Sequence, residues 1–397
     1  MEKSKELFCL KDVSFILGKN RYTFRRGPTG NLEAHLYNHL CNSDQFCAVD
    51  DNKRISSTAG DQPTSPHLRI GIMRNGGYGD VLLGTAIATG IRRKYPDAFI
   101  TWYTTPQFIQ MLRRFPHINQ ARLHNCYSGE DIFFKRNIYD FDMFFATKPD
   151  AEVWYFNPKL PEKYPELKKS DKFRRLHFYN KKMSSYEWIK KSGLWWTDVY
   201  KKSIGIEVRE EDMWFDIPTS CDYPITQEKH AVIVCDGAGG TQVKSYPVNL
   251  FKEVVEYLEN INYKVYQVGD KFTNIIPGVK SLVGTTALQQ AVGYIKNCDL
   301  YIGVDGFLTH IASLYNVRNV CIYGPTPYKI WGHKNLNVVN AGIKCKDRPC
   351  WSNIRSWHNK CLINGKLQGE CMLKLNPKRI IKKINEVLNN DKLGKTA

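Results

Sequence analysis

An apolar run that leads directly into a glycine-bearing turn occurs three times in this chain of 397 residues. The turns are NGGYGD at 75–80, DGAGGTQVKSYP at 236–247 and GVDGFLTH at 303–310, and a helix-like pattern follows each one. A strand, a tight turn and a helix form the unit from which doubly wound parallel sheets are built. The repetition therefore predicts an α/β fold.

The strand and helix patterns divide the chain into four parts. Residues 1–66 form an N-terminal extension and linker, which ends in SSTAGDQPTSP; residues 67–226 and 227–376 each form a Rossmann-like domain; residues 377–397 form a C-terminal helix and tail. Within the first domain, an aromatic, lysine-rich stretch at 150–215 interrupts the pattern and contains a predicted helix at 178–193. Ligands of such sheets bind at the carboxyl ends of the strands, which predicts a cleft between the two domains.

The charge balance favours an anionic partner. The chain has 57 Lys and Arg against 39 Asp and Glu, a net charge of +18. Nucleic acid, an anionic membrane or lipopolysaccharide surface, and phosphorylated small molecules all fit this charge. No apolar run reaches the roughly 18 residues of a membrane span, and the N-terminus lacks the apolar core of a signal peptide. We expect a soluble cytoplasmic protein, with peripheral membrane contact as an open alternative.

The first glycine turn does not fit a dinucleotide site. Gly76, Gly77 and Gly79 supply the backbone turn, but Leu82 stands where a G-x-G-x-x-G motif needs its third glycine. Asp80 also lies at the start of the following helix, where its charge would repel a pyrophosphate. We therefore predict that Asp80 has another task.

The second and third turns carry groups suited to phosphate and sugar. In the second, Gly239 and Gly240 let the backbone approach a ligand, Thr241 offers a hydroxyl and Lys244 adds a positive charge. This pattern predicts a diphosphate clamp. No G-x-x-x-x-G-K-[ST] motif occurs, so P-loop ATP hydrolysis is not indicated.

In the third turn, Asp305 ends a strand and His310 lies in the helix that follows. The histidine can bond a phosphate oxygen or a sugar hydroxyl, and the aspartate can accept from sugar hydroxyls. A helix cap beside a core histidine is the structural alternative for this pair.

The order of these motifs resembles glycosyltransferase family nine, the heptosyltransferases, over about residues 68–388. LRIGIMRNGGYGDVLLGTAIATGIRRKYP looks like the opening of that family, GGTQVKSYPVNLFKEVVEYL like its lysine loop and YIGVDGFLTHIASLYNVRNVCIYGPT like its second signature. The resemblance implies the GT-B architecture, in which two doubly wound Rossmann-like domains face a central cleft. It places Asp80 as the general base, and assigns donor binding to Gly239, Gly240, Thr241, Lys244, Asp305, Gly306 and His310.

The implied reaction is transfer of a heptose-like sugar, with inversion, from a nucleotide diphosphate donor to an acceptor hydroxyl. The donor is expected to be ADP-linked, the acceptor is lipopolysaccharide, another glycan or a protein, and catalysis needs no cofactor. Two alternatives remain open: a non-catalytic α/β clamp for an anionic polymer, and a nucleotide-sugar epimerase. We expect no specific nucleic-acid partner, and an oligomer is possible.

The chain departs from the family at Phe307, where the signature usually has a small residue, so the sugar pocket is expected to differ. The N-terminal extension and four late cysteines are similar to the autotransporter-modifying branch of the family. Those cysteines, spaced by four, ten and nine residues, are Cys345, Cys350, Cys361 and Cys371. Four thiolates can hold zinc or iron in a structural site, while free thiols or two disulfides are the alternatives.

Overall fold

The computed structural model describes residues 68–74, 76–123, 141–146, 193–215, 228–236, 242–341, 345, 350 and 360–394, and the backbone of short strands in the first 50 residues and at 153–156. The predicted helix at 178–193 lies outside the described residues. Among the described helices, none has the length and apolar character needed to cross a bilayer.

The chain divides into two compact units. One unit comprises Met1–Met73, Asp97–Phe144 and Tyr155–Asn157; the other comprises Arg74–Pro96, Phe145–Trp154 and Pro158–Ala397. Helix α1 (Tyr78–Lys94), which carries the first glycine turn at its N-terminus, thus belongs to the second unit. The four-part domain division based on the sequence stays a prediction.

Ten of the described strands lie wholly or partly in the first unit, since the last two of them each extend into the second. They are β1 (Leu7–Cys9), β2 (Val13–Leu17), β3 (Asn20–Phe24), β4 (Gly27–Pro28), β5 (Phe46–Ala48), β6 (Arg69–Met73), β7 (Phe99–Thr104), β8 (Gln120–Leu123), β9 (Met143–Ala146) and β10 (Val153–Phe156). β1 pairs antiparallel with β4 and β5, and β2 pairs antiparallel with β3. The other five strands form a sheet in the order β10-β9-β6-β7-β8, in which β6, β7 and β8 run parallel.

Helix α2 (Pro106–Arg114) follows β7 in the first unit. Proline at its first position suits a helix start, because that N–H has no partner within the helix. The helix buries Phe108, Ile109 and Leu112, which follow the three-to-four residue spacing of an amphipathic helix.

The second unit contains a six-stranded, fully parallel sheet. After α3 (Trp196–Ile204), its elements are β11 (His230–Val234), α4 (Val248–Asn260), β12 (Lys264–Gln267), β13 (Lys280–Ser281), α5 (Leu288–Asn297), β14 (Leu300–Val304), α6 (Phe307–Leu314), β15 (Asn319–Tyr323), α7 (Tyr328–Trp331), β16 (Val338–Asn340), α8 (Glu370–Leu373) and α9 (Pro377–Gly394). The strand order is β13-β12-β11-β14-β15-β16. It extends outward in both directions from β11 and β14, which is the doubly wound arrangement.

This strand order determines where the functional turns lie. β11 and β14 are parallel neighbours, paired from Ala231↔Leu300 to Val234↔Gly303. The second and third glycine turns follow these two strands, so both start from the same edge of the sheet. The sheet topology therefore supplies the proximity that the sequence motifs require.

The sequence pattern also predicts helices at 247–260, 286–297 and 308–315. The structure has them at 248–260, 288–297 and 307–314, within two residues of these bounds. The C-terminal helix α9 packs into the second unit, where Ile380, Ile384 and Val387 join its buried core. The predicted α/β class with doubly wound sheets is confirmed.

Candidate active site

The turn before α1 presents the Asp80 carboxylate at the helix N-terminus. Gly76 has a φ of +121°, a conformation that residues with a Cβ rarely adopt. Gly77 is the N-cap, and its N–H donates to Oδ2 of Asp80 at 2.7 Å. The side chain of Asp80 remains 30% exposed, so the carboxylate caps the helix and is still accessible to a ligand.

Arg74 holds the other side of the same carboxylate. Its guanidinium pairs through Nη2 with Oδ1 of Asp80, and its Nε donates to the carbonyl oxygen of Asp80 at 3.3 Å. The Arg74 side chain is only 3% exposed. Arg74 was not predicted as a site residue, although a basic residue directly after a buried strand and six positions before Asp80 is a usable signal.

His310 lies against the glycine turn of α1. A Cβ atom at Gly79 would stand 2.9 Å from Cδ2 and 3.1 Å from Nε2 of the imidazole. A side chain there would push the histidine away, and glycine thus permits α1 and α6 to approach closely. The Nε2 edge of His310 therefore faces the Gly79–Asp80 turn.

Phe307, the departure from the family signature, has an identifiable packing role. Its ring lies 5.4 Å from the ring of Tyr78 and 5.4 Å from that of Phe215. The residue is 9% exposed. Phe307 thus packs the start of α6 against the start of α1, beside the candidate site.

Lys244 and Asp305 form a largely buried ion pair. Nζ of Lys244 lies 2.7 Å from Oδ2 of Asp305, and the Thr326 hydroxyl donates to the same oxygen at 2.6 Å. The Asp305 side chain is 4% exposed, and that of Lys244 is 18% exposed. The pair joins the second glycine turn to the third.

Burial and charge act against each other on these groups. Burial alone would raise the pKa of Asp305, but the positive charge of Lys244, with hydrogen bonds from Lys244 and Thr326, leaves that pKa below its usual value. Burial lowers the pKa of His310 to about 4, although the charges of Asp305 and Asp80 oppose the shift. At neutral pH the site thus contains ionised Asp305 and a neutral imidazole.

Two further residues, the buried His333 and the partly buried Glu210, extend the site behind His310. Nδ1 of His310 lies 2.8 Å from Nε2 of His333, which is 1% exposed. Nδ1 of His333 in turn lies 3.9 Å from Oε2 of Glu210. Burial lowers the pKa of His333 well below its ordinary value and raises that of Glu210. Neither residue was expected from the sequence.

The second unit thus brings together four of the predicted site residues. Asp80, Lys244 and Asp305 all act electrostatically on His310. Gly306 is the N-cap of α6 with extended backbone. Gly239, Gly240 and Thr241 lie outside the described residues, so their assignment stays a prediction.

The four late cysteines share one neighbourhood. Burial raises the pKa of Cys350 to about 11, and the charges of Cys371, Cys361 and Cys345 add to that shift. Cys345, Cys350 and Cys361 are free thiols in this structure. Among the described residues, no group of three or more His, Cys, Asp or Glu side chains has an arrangement that holds a metal ion. The metal site stays a prediction.

The chain is similar to known proteins in both sequence and fold. The model of glycosyltransferase family 9 (heptosyltransferase) matches residues 197–360. Two curated relatives, both named lipooligosaccharide heptosyltransferase 2 and both from Campylobacter jejuni (serotypes O:2 and O:6), are 28% identical over 118 and 112 residues. These matches cover 29% and 28% of this chain, and 34% and 32% of the relatives. The chain thus spans about a third of the length of the curated relatives it matches.

Solved structures share the fold at low sequence identity. The ADP-heptose lipopolysaccharide heptosyltransferase II of E. coli is 16% identical, with a TM-score of 0.50 over 82% of this chain and 100% of that one. TibC, an iron-containing dodecameric glycosyltransferase of enterotoxigenic E. coli, is 16% identical, with a TM-score of 0.56 over 81% of this chain and 78% of that one.

Together, the comparisons confirm the GT-B-like fold and the resemblance to the heptosyltransferases of family 9. The proteins that this chain resembles are glycosyltransferases.

Proposed function

We propose that this protein transfers a heptose-like sugar, with inversion, from an ADP-linked donor to a hydroxyl group of an acceptor. The observation that carries the proposal is the convergence on His310 of a carboxylate at the start of α1, a lysine and a buried aspartate. Such a set supplies a base, a cation for a leaving diphosphate and polar contacts for a sugar.

Asp80 acts as the general base in this proposal. The acceptor oxygen attacks the anomeric carbon of the donor, its proton passes to the Asp80 carboxylate, and the bond from that carbon to the diphosphate oxygen breaks with its electron pair. Attack from the face opposite the diphosphate inverts the configuration. Arg74 and the Gly77 N–H fix the carboxylate in place, so that it need not reorganise during the reaction.

Lys244 stabilises the departing diphosphate. The Lys244 side chain is 18% exposed, and Asp305 orients its ammonium group. A fixed cation is most effective where water is scarce, and both Asp305 and Thr326 beside it are buried. The predicted backbone contacts of Gly239 and Gly240 and the hydroxyl of Thr241 complete the clamp.

The nature of donor and acceptor is argued from the relatives. TibC has a structure in complex with ADP-D-β-D-heptose, which supports an ADP-linked heptose as donor. The names of the Campylobacter relatives support a lipooligosaccharide-type glycan as acceptor, whereas TibC and the late cysteines keep the autotransporter branch, with a protein acceptor, within the proposal. An oligomer is proposed on the same ground, and binding to an anionic membrane surface stays a prediction from net charge.

Cys345, Cys350, Cys361 and Cys371 enter the proposal as a structural zinc or iron site. The support for this site is that the other three cysteines all raise the pKa of Cys350, an electrostatic effect that requires them to be near it. A metal here would tie together the chain around α8 and take no part in the chemistry.

Calorimetric titration of the full chain with ADP, UDP, GDP and NAD tests the proposal. We expect ADP to bind and the other three to bind more weakly, with the preference reduced in Lys244→Ala. An assay with ADP-heptose and an acceptor glycan then measures the rate of sugar transfer. Binding of an anionic polymer without any nucleotide binding would reject the transferase in favour of the clamp, and conversion of the donor without an acceptor would favour the epimerase.

A further inference from the structure

Three polar side chains, those of His310, His333 and Glu210, connect the active site with a cavity. Nε2 of His310 faces the Gly79–Asp80 turn, Nδ1 of His310 meets Nε2 of His333 at 2.8 Å, and Nδ1 of His333 points towards Glu210 at 3.9 Å. Glu210 borders a cavity of about 630 Å³. The site described above requires only the first of these three residues.

The contact between the two histidines couples their tautomers. Both imidazoles are neutral because burial lowers both pKa values, so each ring carries one N–H. Only one of the two facing nitrogens can donate. If His333 carries its proton on Nδ1, its Nε2 accepts from His310 Nδ1–H, and Nε2 of His310 has a free lone pair. The opposite tautomers would leave His310 with an Nε2–H donor.

Glu210 decides between these two arrangements. Nδ1 of His333 is buried and has no hydrogen-bond partner, and the nearest acid group is Oε2 of Glu210. An ionised carboxylate at this distance attracts an N–H and repels a nitrogen lone pair. Oε2 also accepts from the Lys334 N–H at 2.8 Å, a bond that favours the ionised acid.

The other groups around Glu210 and His333 do not reverse the preference for a proton on Nδ1 of His333. Burial and, to a smaller extent, the charges of Glu211 and Asp198 raise the pKa of Glu210, while the hydrogen bond and charge of Lys334 oppose them. Beside burial, His310 also lowers the pKa of His333, and the ring of Trp196 packs edge-on against the imidazole at 6.0 Å. Trp196 is itself held by a hydrogen bond from its Nε1 to the carbonyl of Gly332 at 3.0 Å.

We propose that Glu210 and His333 are positioning residues that fix His310 in the Nδ1–H tautomer, so that its Nε2 accepts a hydrogen bond from a hydroxyl group of the bound sugar. This inference rests on the proposed function for the identity of the ligand, but not for the tautomer. It selects one of the two roles that the sequence left open for His310, because a bare Nε2 can accept from a hydroxyl but cannot donate to an ionised phosphate.

The tautomer can be measured directly in the free protein. Labelling with ¹⁵N-histidine and long-range nitrogen–proton correlation distinguishes a protonated ring nitrogen from a bare one, and a His310→Gln variant assigns the signals of this residue among the ten histidines. In the wild-type protein we expect protonated Nδ1 and bare Nε2 at His310. In His333→Phe, where the partner nitrogen is lost, we expect His310 to shift to the Nε2–H form that free histidine prefers.

Glu210→Gln provides a second test that leaves the histidine pair intact. Without the negative charge of Glu210, His310 should populate both the Nδ1–H and the Nε2–H tautomer, instead of mainly the Nδ1–H form. Glu211→Gln is the matched control: Glu211 is an exposed acid that lines the same cavity, and loss of its charge favours the ionised form of Glu210, so the Nδ1–H form of His310 should persist. An Nε2–H tautomer in the wild type, or an unchanged tautomer in both Glu210→Gln and His333→Phe, would overturn the proposal.

Binding of ADP and ADP-heptose separates the role of His310 from the proposed function. In Glu210→Gln and His333→Phe, affinity for ADP-heptose should fall about tenfold relative to ADP, since only the sugar contact is altered. Equal loss for both ligands would overturn the assignment to a sugar hydroxyl. If the wild-type protein binds neither ligand, the proposed function fails, and the spectra still decide whether Glu210 and His333 position His310.

Discussion

The ammonium group of Lys244 lies 2.7 Å from a carboxylate oxygen of Asp305, across 61 positions of sequence. Asp305 is almost fully buried, whereas the lysine keeps an exposed fraction of 18%. A buried carboxylate of this kind needs its cation, and the cation is thereby held rigidly at the edge of the sheet. The pair therefore connects fold stability with the binding of an anionic ligand.

Lys244→Ala should weaken the binding of ADP by about 10- to 100-fold, the usual range for loss of one charge-assisted hydrogen bond. Isothermal titration calorimetry measures this change. The matched control is Lys252→Ala, since Lys252 is 52% exposed and pairs only on the surface of α4 with Glu256 at 3.5 Å. If both variants bind ADP like the wild type, the diphosphate clamp lies elsewhere.

Asp80→Asn should reduce the rate of sugar transfer by about 10² to 10⁴ while ADP still binds. Asparagine keeps an oxygen that can accept from the Gly77 N–H, so the helix cap survives while the base is lost. Turnover with ADP-heptose and an acceptor glycan gives the rate, and thermal unfolding checks that the cap is intact. Near-normal turnover in a stable variant would leave Asp80 with only the structural role.

The fold could be predicted largely from local patterns. Short apolar runs between glycine turns gave the central strands, because a parallel strand is buried on both faces and shows no polar alternation. The two-strand ribbon and the three-stranded sheet in the first 50 residues were not predicted, since their strands are short and carry mixed side chains.

The site was predictable only where a residue lay on a recognisable turn. Asp80, Lys244, Asp305 and His310 stand beside glycines at strand ends, which is why they were identified. His333 and Glu210 reach the site through tertiary packing alone, and no spacing in the sequence connects them, whereas Arg74 lies only six positions before Asp80. A single histidine in the segment WGHKN gives no indication that it faces another histidine 23 residues earlier.

Phe307→Ala should lower the free energy of unfolding by about 3 kcal/mol, because the ring is buried between Tyr78 and Phe215 and its removal leaves a cavity. Urea denaturation measures the loss. Phe272→Ala is the matched control: this side chain is 76% exposed, and its removal should change stability by less than about 0.5 kcal/mol. Equal effects in the two variants would contradict the packing role of Phe307.

Metal analysis of protein purified without chelator should find about one zinc or iron ion per chain if the four late cysteines form a structural site. Cys350→Ser should lower both metal content and melting temperature, since three thiolates bind a metal less tightly than four. The matched control is Cys298→Ser, which changes a buried thiol at the end of α5, far along the chain from this cluster. If the wild-type protein contains no metal and is still fully stable, the prediction of a structural metal site is wrong.

The stability of the fold should decrease as the pH is lowered from about 7 to about 4.5. Burial lowers the pKa of His310 to about 4 and places that of His333 well below its ordinary value, so the unfolded chain binds protons that the folded chain does not. The contribution is complete above the unfolded pKa near 6.5 and is lost as the pH falls towards the folded values. For His310 alone, it amounts to about 3 kcal/mol.

Glu210 acts in the opposite direction, because its pKa is raised in the folded protein and its protonation stabilises the fold as the pH falls. The two histidines together should outweigh it, since both have pKa values far from those of the unfolded chain. Urea midpoints measured across this pH range give the slope for the wild type and for the double variant His310→Gln with His333→Phe. The double variant should show a clearly shallower slope, and identical slopes would mean that these histidines are already protonated, or exposed, in the folded protein.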